Sequence, residues 1–242
     1  MRLGIIADIH GNLEALTSFM NVLSQKTYDR LVVCGDIVGY GADPSACIDI
    51  VYTQTSVVVA GNHDWAVSDR MGTDYFNDMA KHAIDWTKNR LSDQERELLH
   101  ALPLEASVAG VHVVHSNPAH PESWTYLLDD DDVRCIRHAI DGIHIVGHSH
   151  VPFIYGFGSD GEEFNTEPDR YNLKSSWSYV INVGSIGQPR DGIPLASGAL
   201  IDTDEGYIEL LRQPYPIHRA AEKIRNEPEL SDFLALRLFS GT

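Results

Sequence analysis

The sequence predicts an α/β sandwich in which mixed sheets lie in the middle and helices lie outside. Its first half alternates short apolar runs with helical patterns, which favours βαβ units and a largely parallel sheet. In its second half, Gly-rich turns separate the apolar runs, which favours antiparallel pairing. A helical pattern over residues 74–102 interrupts the strands, and the tail after Pro216 is again helical in pattern. We expect one domain over residues 1–242, with 74–102 as a helical insert.

The elements of the first half follow one another in order along the chain. Residues 3–7 are the first predicted strand, and Asn12 is placed to cap the following helix, because its side chain can accept from free backbone amides. Residues 31–34 are the second predicted strand. Pro44 then opens a helix, since proline suits the first helical turn. Residues 57–60 are the third predicted strand.

The second half contains capping signals and the remaining strands. Ser92 followed by Glu95 has the spacing of a capping box and predicts a helix start within the insert. The acidic run 129–132 suits a helix N-terminus, where carboxylates are stabilised. The remaining predicted strands cover residues 107–115, 143–147, 153–157, 178–183, 198–202 and 206–211.

Composition and charge exclude several kinds of partner. The chain has 242 residues, 12 of them histidine, and a formal net charge of −17. Such a surface repels polyanions, so we expect no nucleic-acid polymer and no membrane as a partner. The first residues already have a strand pattern without the features of a signal peptide, which predicts a cytoplasmic protein. A phosphorylated substrate would need a local source of positive charge, which bound metal could provide.

Five predicted strands end in Asp, His or Asn. In open α/β sheets, ligands bind at the carboxyl ends of the strands, so these side chains should converge in space. They are Asp8 and His10 after the first strand, Asp36 after the second, Asn62 after the third, His115 after residues 111–114, and His148 and His150 after residues 143–146.

These residue types are those of a metal site. Asp, His and one Asn without a thiolate suit Mn, Fe, Zn or Co. Seven candidates exceed the needs of one tetrahedral zinc and suit two ions about 3.5–4 Å apart that share a carboxylate. Taken alone, Asp8-x-His10 is more typical of a turn before a helix, and Gly61-Asn62 is a common turn dipeptide. Their recurrence at five strand ends favours the metal site.

The series DxH, GDxxG, GNHD, a lone His and GHxH resembles the calcineurin-like metallophosphoesterase superfamily. The resemblance covers about the first 150 residues. It implies a four-layer α/β/β/α sandwich, the metallophosphoesterase fold, and two divalent or trivalent transition-metal ions. It also implies roles for these residues: Asp8, His10 and His150 bind one metal, Asn62, His115 and His148 bind the other, Asp36 bridges them, and His63 is a catalytic acid or orients the phosphate beside Asn62.

The second motif departs from one branch of that superfamily. Protein Ser/Thr phosphatases carry GDxVDRG there, whereas this chain has Gly39 and Tyr40 where an Asp and an Arg would be. The carboxylate that would orient His63 and one phosphate-binding guanidinium are therefore missing. This difference argues against a phosphoprotein phosphatase.

A later segment, residues 182–192, resembles the small YfcE-like and diadenosine-tetraphosphatase-like phosphoesterases. Backbone amides of residues 184–187 could meet an anion, and Arg190 could bind a phosphate oxygen of the substrate. The alternative is a Gly/Pro-rich turn with a solvated arginine, and the sequence leaves both open.

The functional hypothesis is hydrolysis of a small phosphodiester or nucleotide, with a dinucleoside polyphosphate as one candidate, by a hydroxide held between two metal ions. A phosphomonoesterase or protein phosphatase is the first alternative. A metal-bound interaction scaffold without turnover is the second.

Overall fold

Two mixed sheets form the centre of the protein in the computed structural model, which describes residues 1–55, 57–167 and 169–242. The strands are β1 (Arg2–Ile6), β2 (Arg30–Cys34), β3 (Val57–Val59), β4 (Glu105–Val108), β5 (Val111–Val114), β6 (Ile143–Val146), β7 (Phe153–Phe157), β8 (Glu163–Thr166), β9 (Arg170–Asn172), β10 (Ser178–Asn182), β11 (Ala196–Asp202) and β12 (Tyr207–Gln213).

The helices pack outside the sheets. They are α1 (Leu13–Leu23), α2 (Pro44–Gln54), α3 (Asn62–Val67), α4 (Asp78–Arg90), α5 (Asp93–His100), α6 (Asp130–Ile136), α7 (Ile217–Arg225) and α8 (Asp232–Ser240). Within the described ranges, none of these helices has the length and apolar character needed to cross a membrane.

Each sheet combines parallel and antiparallel strands. The first has the order β3-β2-β1-β11-β12-β9, in which β1, β2 and β3 are parallel and the other pairs are antiparallel. The second has the order β4-β5-β6-β10-β7-β8, with β5, β6 and β10 parallel. The mixed character predicted from the two halves of the sequence is confirmed.

Side chains alternate between two apolar layers along the strands. In β2, Val32 points into the core between the sheets, while Leu31 and Val33 pack with α1 and α2. In β10, Tyr179 and Ile181 lie between the sheets, and residue 180 packs with α6 on the outer face. Because successive side chains point to opposite faces, each sheet packs one face against the other sheet and the opposite face against helices. The layers therefore follow the order helices, sheet, sheet, helix. The four-layer sandwich is therefore confirmed.

The predicted helix starts are present. The side chain of Asn12 accepts a hydrogen bond from the amide of Ala15 at 3.1 Å, and Pro44 begins α2. Ser92 and Glu95 form the capping box of α5. Within the stretch 74–102, the helices are α4 and α5.

Three local features differ from the sequence-based prediction. Residues 107–115 form part of a hairpin, β4–β5, that turns at Ala109 and Gly110, both with positive φ. A short helix, α3, begins at Asn62, where no helix was predicted, and strands β8 and β9 had no predicted counterpart. The edge strands were missed because they alternate exposed and half-buried residues and carry little apolar signal.

Candidate metal centre

The candidate ligands lie together at one edge of the two sheets. They follow β1, β2 and β3 in the first sheet and β5 and β6 in the second, so the carboxyl ends of these strands meet. The expected convergence is confirmed. All seven side chains are buried: Asp8, His10, Asp36, Asn62, His115, His148 and His150.

The backbone is strained at most of these positions. A left-handed conformation in a non-glycine residue costs about 1–3 kcal/mol and persists where the surroundings enforce it. Backbone hydrogen bonds between the first two strand ends help to do so, such as the 3.0 Å bond from the Asp8 amide to the Gly35 carbonyl. Positive φ angles occur at Asp8 (53°), His10 (48°), Asp36 (52°), His148 (66°) and His150 (61°).

The His and Asp donor atoms form three overlapping groups, and two of these groups contain only candidate ligands. Donor atoms of Asp8, His10 and His150 lie within 4.8 Å of one another. Those of Asp36, His115 and His148 form a second group of the same kind. A third group joins His10 and Asp36 to His63. The first two groups contain the His and Asp ligands of the two sets that the resemblance implied, with Asp36 in the second.

Asp36 lies between the clusters. Its Oδ2 atom is 3.5 Å from Nε2 of His10 and 3.3 Å from Nε2 of His115. Its Oδ1 atom accepts a hydrogen bond from the amide of His63 at 2.9 Å. A single carboxylate oxygen of Asp36 therefore lies close to the cluster that contains His10 and to the cluster that contains His115.

The hydrogen bonds of the imidazoles leave lone pairs directed into the site. Nδ1 of His10, His115 and His150 lies 3.1, 2.7 and 2.6 Å from a backbone carbonyl, so we assign the proton to Nδ1 and the lone pair to Nε2. His148 instead places Nε2 2.9 Å from the Trp124 carbonyl, which leaves Nδ1 for a metal. Backbone partners of this kind fix the tautomer of metal-binding histidines.

Several buried polar atoms lack a partner. Nε2 of His115 and Oδ1 of Asn62 have no hydrogen-bond partner among the described residues. The Nε2 atoms of His10 and His150 lie 3.1 Å apart. Two lone pairs at this distance repel each other unless a cation or a proton lies between them. The donor set therefore fits bound metal.

The electrostatics agree with this assignment for three of the four histidines and differ for His115. Burial lowers the pKa of His10 and His150, and lowers that of His148 to about 3, so these rings are neutral at pH 7. Burial also acts on His115, but the carboxylates of Asp36 and Asp8 outweigh it and raise its pKa to about 10. A metal ion would have to displace that proton.

His63 occupies an unusual position beside the clusters. Its Nδ1 atom is buried and has no hydrogen-bond partner in the described part of the chain. Gly39, with φ of +100°, lies so close that an added Cβ would stand 2.6 Å from Nδ1, so no carboxylate side chain fits there. The ring packs between Tyr40 and Phe76, with centroids 4.5 and 5.1 Å away. Burial lowers the pKa of His63 to about 4, which leaves it uncharged at neutral pH.

Asp64, which sequence reasoning did not single out, joins two ligand-bearing loops. Its Oδ1 atom accepts from the amides of Ile37 and Val38 at 2.9 and 3.3 Å, and Oδ2 accepts from the amide of Gly61 at 3.0 Å. This carboxylate fixes the position of Asp36 relative to Asn62. The GNHD pattern contained Asp64, but its role depends on contacts 26 and 27 residues away in sequence.

Residues 182–192 form a structural turn beside the centre. The amides of Gly184 and Gly187 already bond to Asn182 Oδ1 and to the Asp8 carbonyl, at 2.8 and 2.9 Å. The amide of Ile186 likewise donates to the Ala7 carbonyl at 3.0 Å, so these three of the four amides proposed to meet an anion are already occupied. The same segment supports the ligands instead, since Asn182 and Ser185 bond to Gly147 and Asp8 carbonyls at 2.6 and 2.8 Å.

Arg190 lies near the rim of the site. Its Nη2 atom donates to Oε1 of Gln188 at 2.9 Å, and its Cζ atom lies 6.0 Å from the centroid of the Tyr40 ring. The structure therefore places Arg190 next to the aromatic side chain that packs on His63.

A cleft of about 750 Å³ opens beside the centre. Asn62, His63 and His148 line its inner end, and the insert contributes Phe76 and Asn77. No sequence pattern marked the aromatic wall, because its members come from α3 and from segments that are far apart in sequence. Its aromatic residues are Tyr40, Trp65, Tyr75, Phe76, Trp124 and Tyr126.

Comparisons with known proteins agree with this architecture. The family model for the calcineurin-like phosphoesterase superfamily domain matches residues 1–206. The uncharacterized protein MJ0912 of Methanocaldococcus jannaschii is 39% identical over 247 residues, which cover 99% of this chain and 98% of that protein.

Solved structures share the same fold. A metallophosphoesterase from Sphaerobacter thermophilus superposes with a TM-score of 0.86 at 33% identity, covering 100% of this chain and 99% of its own. A putative diadenosine tetraphosphatase superposes with a TM-score of 0.53 at 18% identity, covering 88% and 94%. By sequence and by fold, this chain belongs to the calcineurin-like phosphoesterase superfamily.

Proposed function

We propose that this protein is a binuclear-metal phosphoesterase that hydrolyses a small phosphodiester or nucleotide, with dinucleoside polyphosphates among the candidates. The observation that carries the proposal is the position of Asp36, whose Oδ2 atom lies 3.5 Å from Nε2 of His10 and 3.3 Å from Nε2 of His115. A carboxylate shared by two ligand clusters is the arrangement that two-metal hydrolases use. Imidazole and carboxylate ligands suit Mn, Fe, Zn or Co.

The metal ions and the side chains of the protein would have different roles in the reaction. Two ions held by the clusters would polarise the phosphoryl oxygens and lower the pKa of a water so that it can attack at neutral pH. The Asn62 amide lines the same cleft and can donate to a phosphoryl oxygen. His63 is uncharged at neutral pH and can donate a hydrogen bond from its ring N–H to a phosphoryl oxygen, and the loss of one such donor typically costs about 10² to 10³ in rate. The guanidinium of Arg190 adds positive charge near the phosphate.

The shape of the cleft supports a small substrate with an aromatic group. Its volume of about 750 Å³ falls in the range of small-molecule sites. Phe76 and Trp124 offer aromatic surfaces for a nucleobase or aryl group. Gly39 and Tyr40 stand where protein phosphatases have an Asp and a phosphate-binding Arg. Because that Arg is absent, the site favours the singly charged phosphate of a diester over the doubly charged phosphate of a monoester. The net charge of −17 disfavours a nucleic-acid polymer as substrate.

The test compares bis-p-nitrophenyl phosphate with p-nitrophenyl phosphate on metal-stripped protein reloaded with manganese. We expect turnover that requires metal and prefers the diester. Asp36→Asn should abolish it, whereas Asp49→Asn, which changes an exposed carboxylate on α2, should match the wild type.

Three outcomes decide between the alternatives. A preference for the monoester would favour the phosphomonoesterase. Two ions bound per chain without turnover on either ester would favour the interaction scaffold. Full activity in Asp36→Asn would refute the proposal that two metal ions share the Asp36 carboxylate.

A further inference from the structure

His148 is oriented by a part of the chain that carries none of the other candidate ligands. For comparison, Nδ1 of His115 lies 2.7 Å from the carbonyl of Cys34, at the end of β2. His148 instead places Nε2 2.9 Å from the carbonyl of Trp124, which lies 24 residues earlier in the chain. Trp124 belongs to residues 124–127, here called the 124–127 segment, which lie between β5 and α6.

The 124–127 segment contacts the His148 ring in two ways. The Trp124 carbonyl can accept a hydrogen bond from Nε2, so we assign the proton to Nε2 and the lone pair to Nδ1. The ring of Tyr126 stacks on the face of the imidazole, with centroids 3.9 Å apart and planes inclined at 14°. The first contact selects the tautomer of His148, and the second restricts rotation of its ring.

Contacts at both ends hold the 124–127 segment in place. Trp124 has a left-handed backbone, with φ of 53° and ψ of 30°, which a residue with a side chain keeps only where its surroundings enforce it. Its indole packs edge-on against that of Trp65 in α3, with centroids 5.4 Å apart and planes at 81°. At the other end, Leu127 is 5% exposed and packs in the outer apolar layer that contains Val146 of β6. The segment is therefore anchored to α3 and to the strand that leads into His148.

We infer that the 124–127 segment positions His148 and thereby sets the affinity for the metal ion that this histidine binds, with Trp124 and Tyr126 as positioning residues. Groups that orient a metal-binding histidine typically contribute about 10- to 100-fold to metal affinity. The inference rests on the proposed function, because it takes His148 as a metal ligand. Trp124 and Tyr126 also line the cleft. A substrate in the cleft would therefore contact the same side chains that orient a metal ligand.

The first test compares metal binding by variants of Tyr126. This side chain is 41% exposed, so its truncation leaves the apolar core intact. In calorimetric titrations with cobalt(II), we expect Tyr126→Ala to bind one of the two ions about 10- to 100-fold more weakly and to bind the other ion as wild type does. Tyr126→Phe keeps the stacked ring and should keep wild-type affinity. Tyr75→Ala is the matched control and should retain the affinity for both ions, since Tyr75 lines the same cleft and is 96% exposed.

The second test needs neither metal nor turnover. Long-range proton–nitrogen NMR spectra of the metal-free protein report the tautomer of each histidine, and His148→Gln identifies the signals of His148. We expect wild type to carry the proton on Nε2. Trp124→Gly, which tolerates the positive φ but lacks the indole, should show a mixture of both tautomers.

Two kinds of result would overturn the inference. One is a wild-type proton on Nδ1 of His148 or an unchanged tautomer in Trp124→Gly. The other is wild-type affinity for both ions in Tyr126→Ala, or an equal loss of both. Absence of turnover on bis-p-nitrophenyl phosphate would refute the proposed function alone, since neither test depends on turnover.

Discussion

The ring of Tyr40 packs against the ring of His63, with centroids 4.5 Å apart and planes inclined at 57°. The same Tyr40 contacts His10 at 4.7 Å. In the GDxVDRG motif of protein Ser/Thr phosphatases, from which the second motif of this chain departs, an Asp and an Arg stand at the positions of Gly39 and Tyr40. Here an aromatic contact replaces a charged one, so His63 is positioned by packing and remains uncharged at neutral pH.

His63 can be tested by truncation. His63→Ala should lower turnover of bis-p-nitrophenyl phosphate by about 10² to 10³, because a hydrogen-bond donor to the phosphoryl oxygens is lost. The metal content, measured by elemental analysis, should be unchanged. His82→Ala, at an exposed position on α4, serves as the control. Wild-type turnover in a fully loaded His63→Ala protein would remove its catalytic role.

Asn182 can be tested as a support of the His148 loop. Its side chain is fully buried and bonds to the Gly147 carbonyl, the Ser149 hydroxyl and the Gly184 amide. Asn182→Ala should lower the free energy of unfolding by about 1–3 kcal/mol, because buried polar groups lose their partners.

The same variant should weaken metal affinity by about 10- to 100-fold, as is typical when a group that supports a ligand is removed. Urea denaturation and metal titration measure the two effects. Asn165→Ala, at an exposed site on β8, should change stability by less than about 0.5 kcal/mol. Equal metal affinity in Asn182→Ala and wild type would refute the supporting role.

The aromatic wall of the cleft can be tested at Phe76. Phe76→Ala should raise KM for bis-p-nitrophenyl phosphate by about twofold to tenfold, because an aromatic contact contributes about 0.5–1.5 kcal/mol. Inhibition by inorganic phosphate provides the control, since phosphate has no aromatic group and should bind equally to both proteins. An unchanged KM would show that the aryl group of the substrate does not contact Phe76.

Lys223 connects α7 to the first turn of α1 and to the N-cap of α2. Its Nζ atom lies 2.8 Å from Oε1 of Glu14, which is 5% exposed, and 2.7 Å from Oδ2 of Asp43. Lys223→Met should lower the free energy of unfolding by about 1–3 kcal/mol, because the buried Glu14 loses a charged partner. Arg225→Met, on the same helix, is the control.

The difference in the free energy of unfolding between wild type and Lys223→Met should depend on pH in a predictable direction. Burial lowers the pKa of Lys223, but hydrogen bonds to Asp43 and Glu14 outweigh it and raise the pKa above 10.5. The stabilisation is therefore complete below pH 10.5 and declines as the pH rises through the folded-state pKa. Urea denaturation at about pH 8 and about pH 11 should show the gap between wild type and Lys223→Met narrowing. A stability difference that is the same at both pH values would show that the charge of Lys223 is not its cause.

Much of the fold and of the candidate site was predictable because the signals are local. The runs that became β1, β2 and β6 are apolar for several residues, and the chemistry-bearing side chains follow directly at their ends. Capping residues such as Asn12 and Ser92 also act within three residues of their own position. The hairpin β4–β5 was missed because Ala109 gives no glycine-like signal for its positive φ.

The sequence by itself determined which residues could bind metal and in which order along the chain they occur, because residue type and strand position are properties of short segments. The tertiary structure decided how they group. It placed Asp36 between two clusters, and it oriented each imidazole through a backbone carbonyl from another loop. These relationships depend on contacts between distant segments, and no local pattern specifies them.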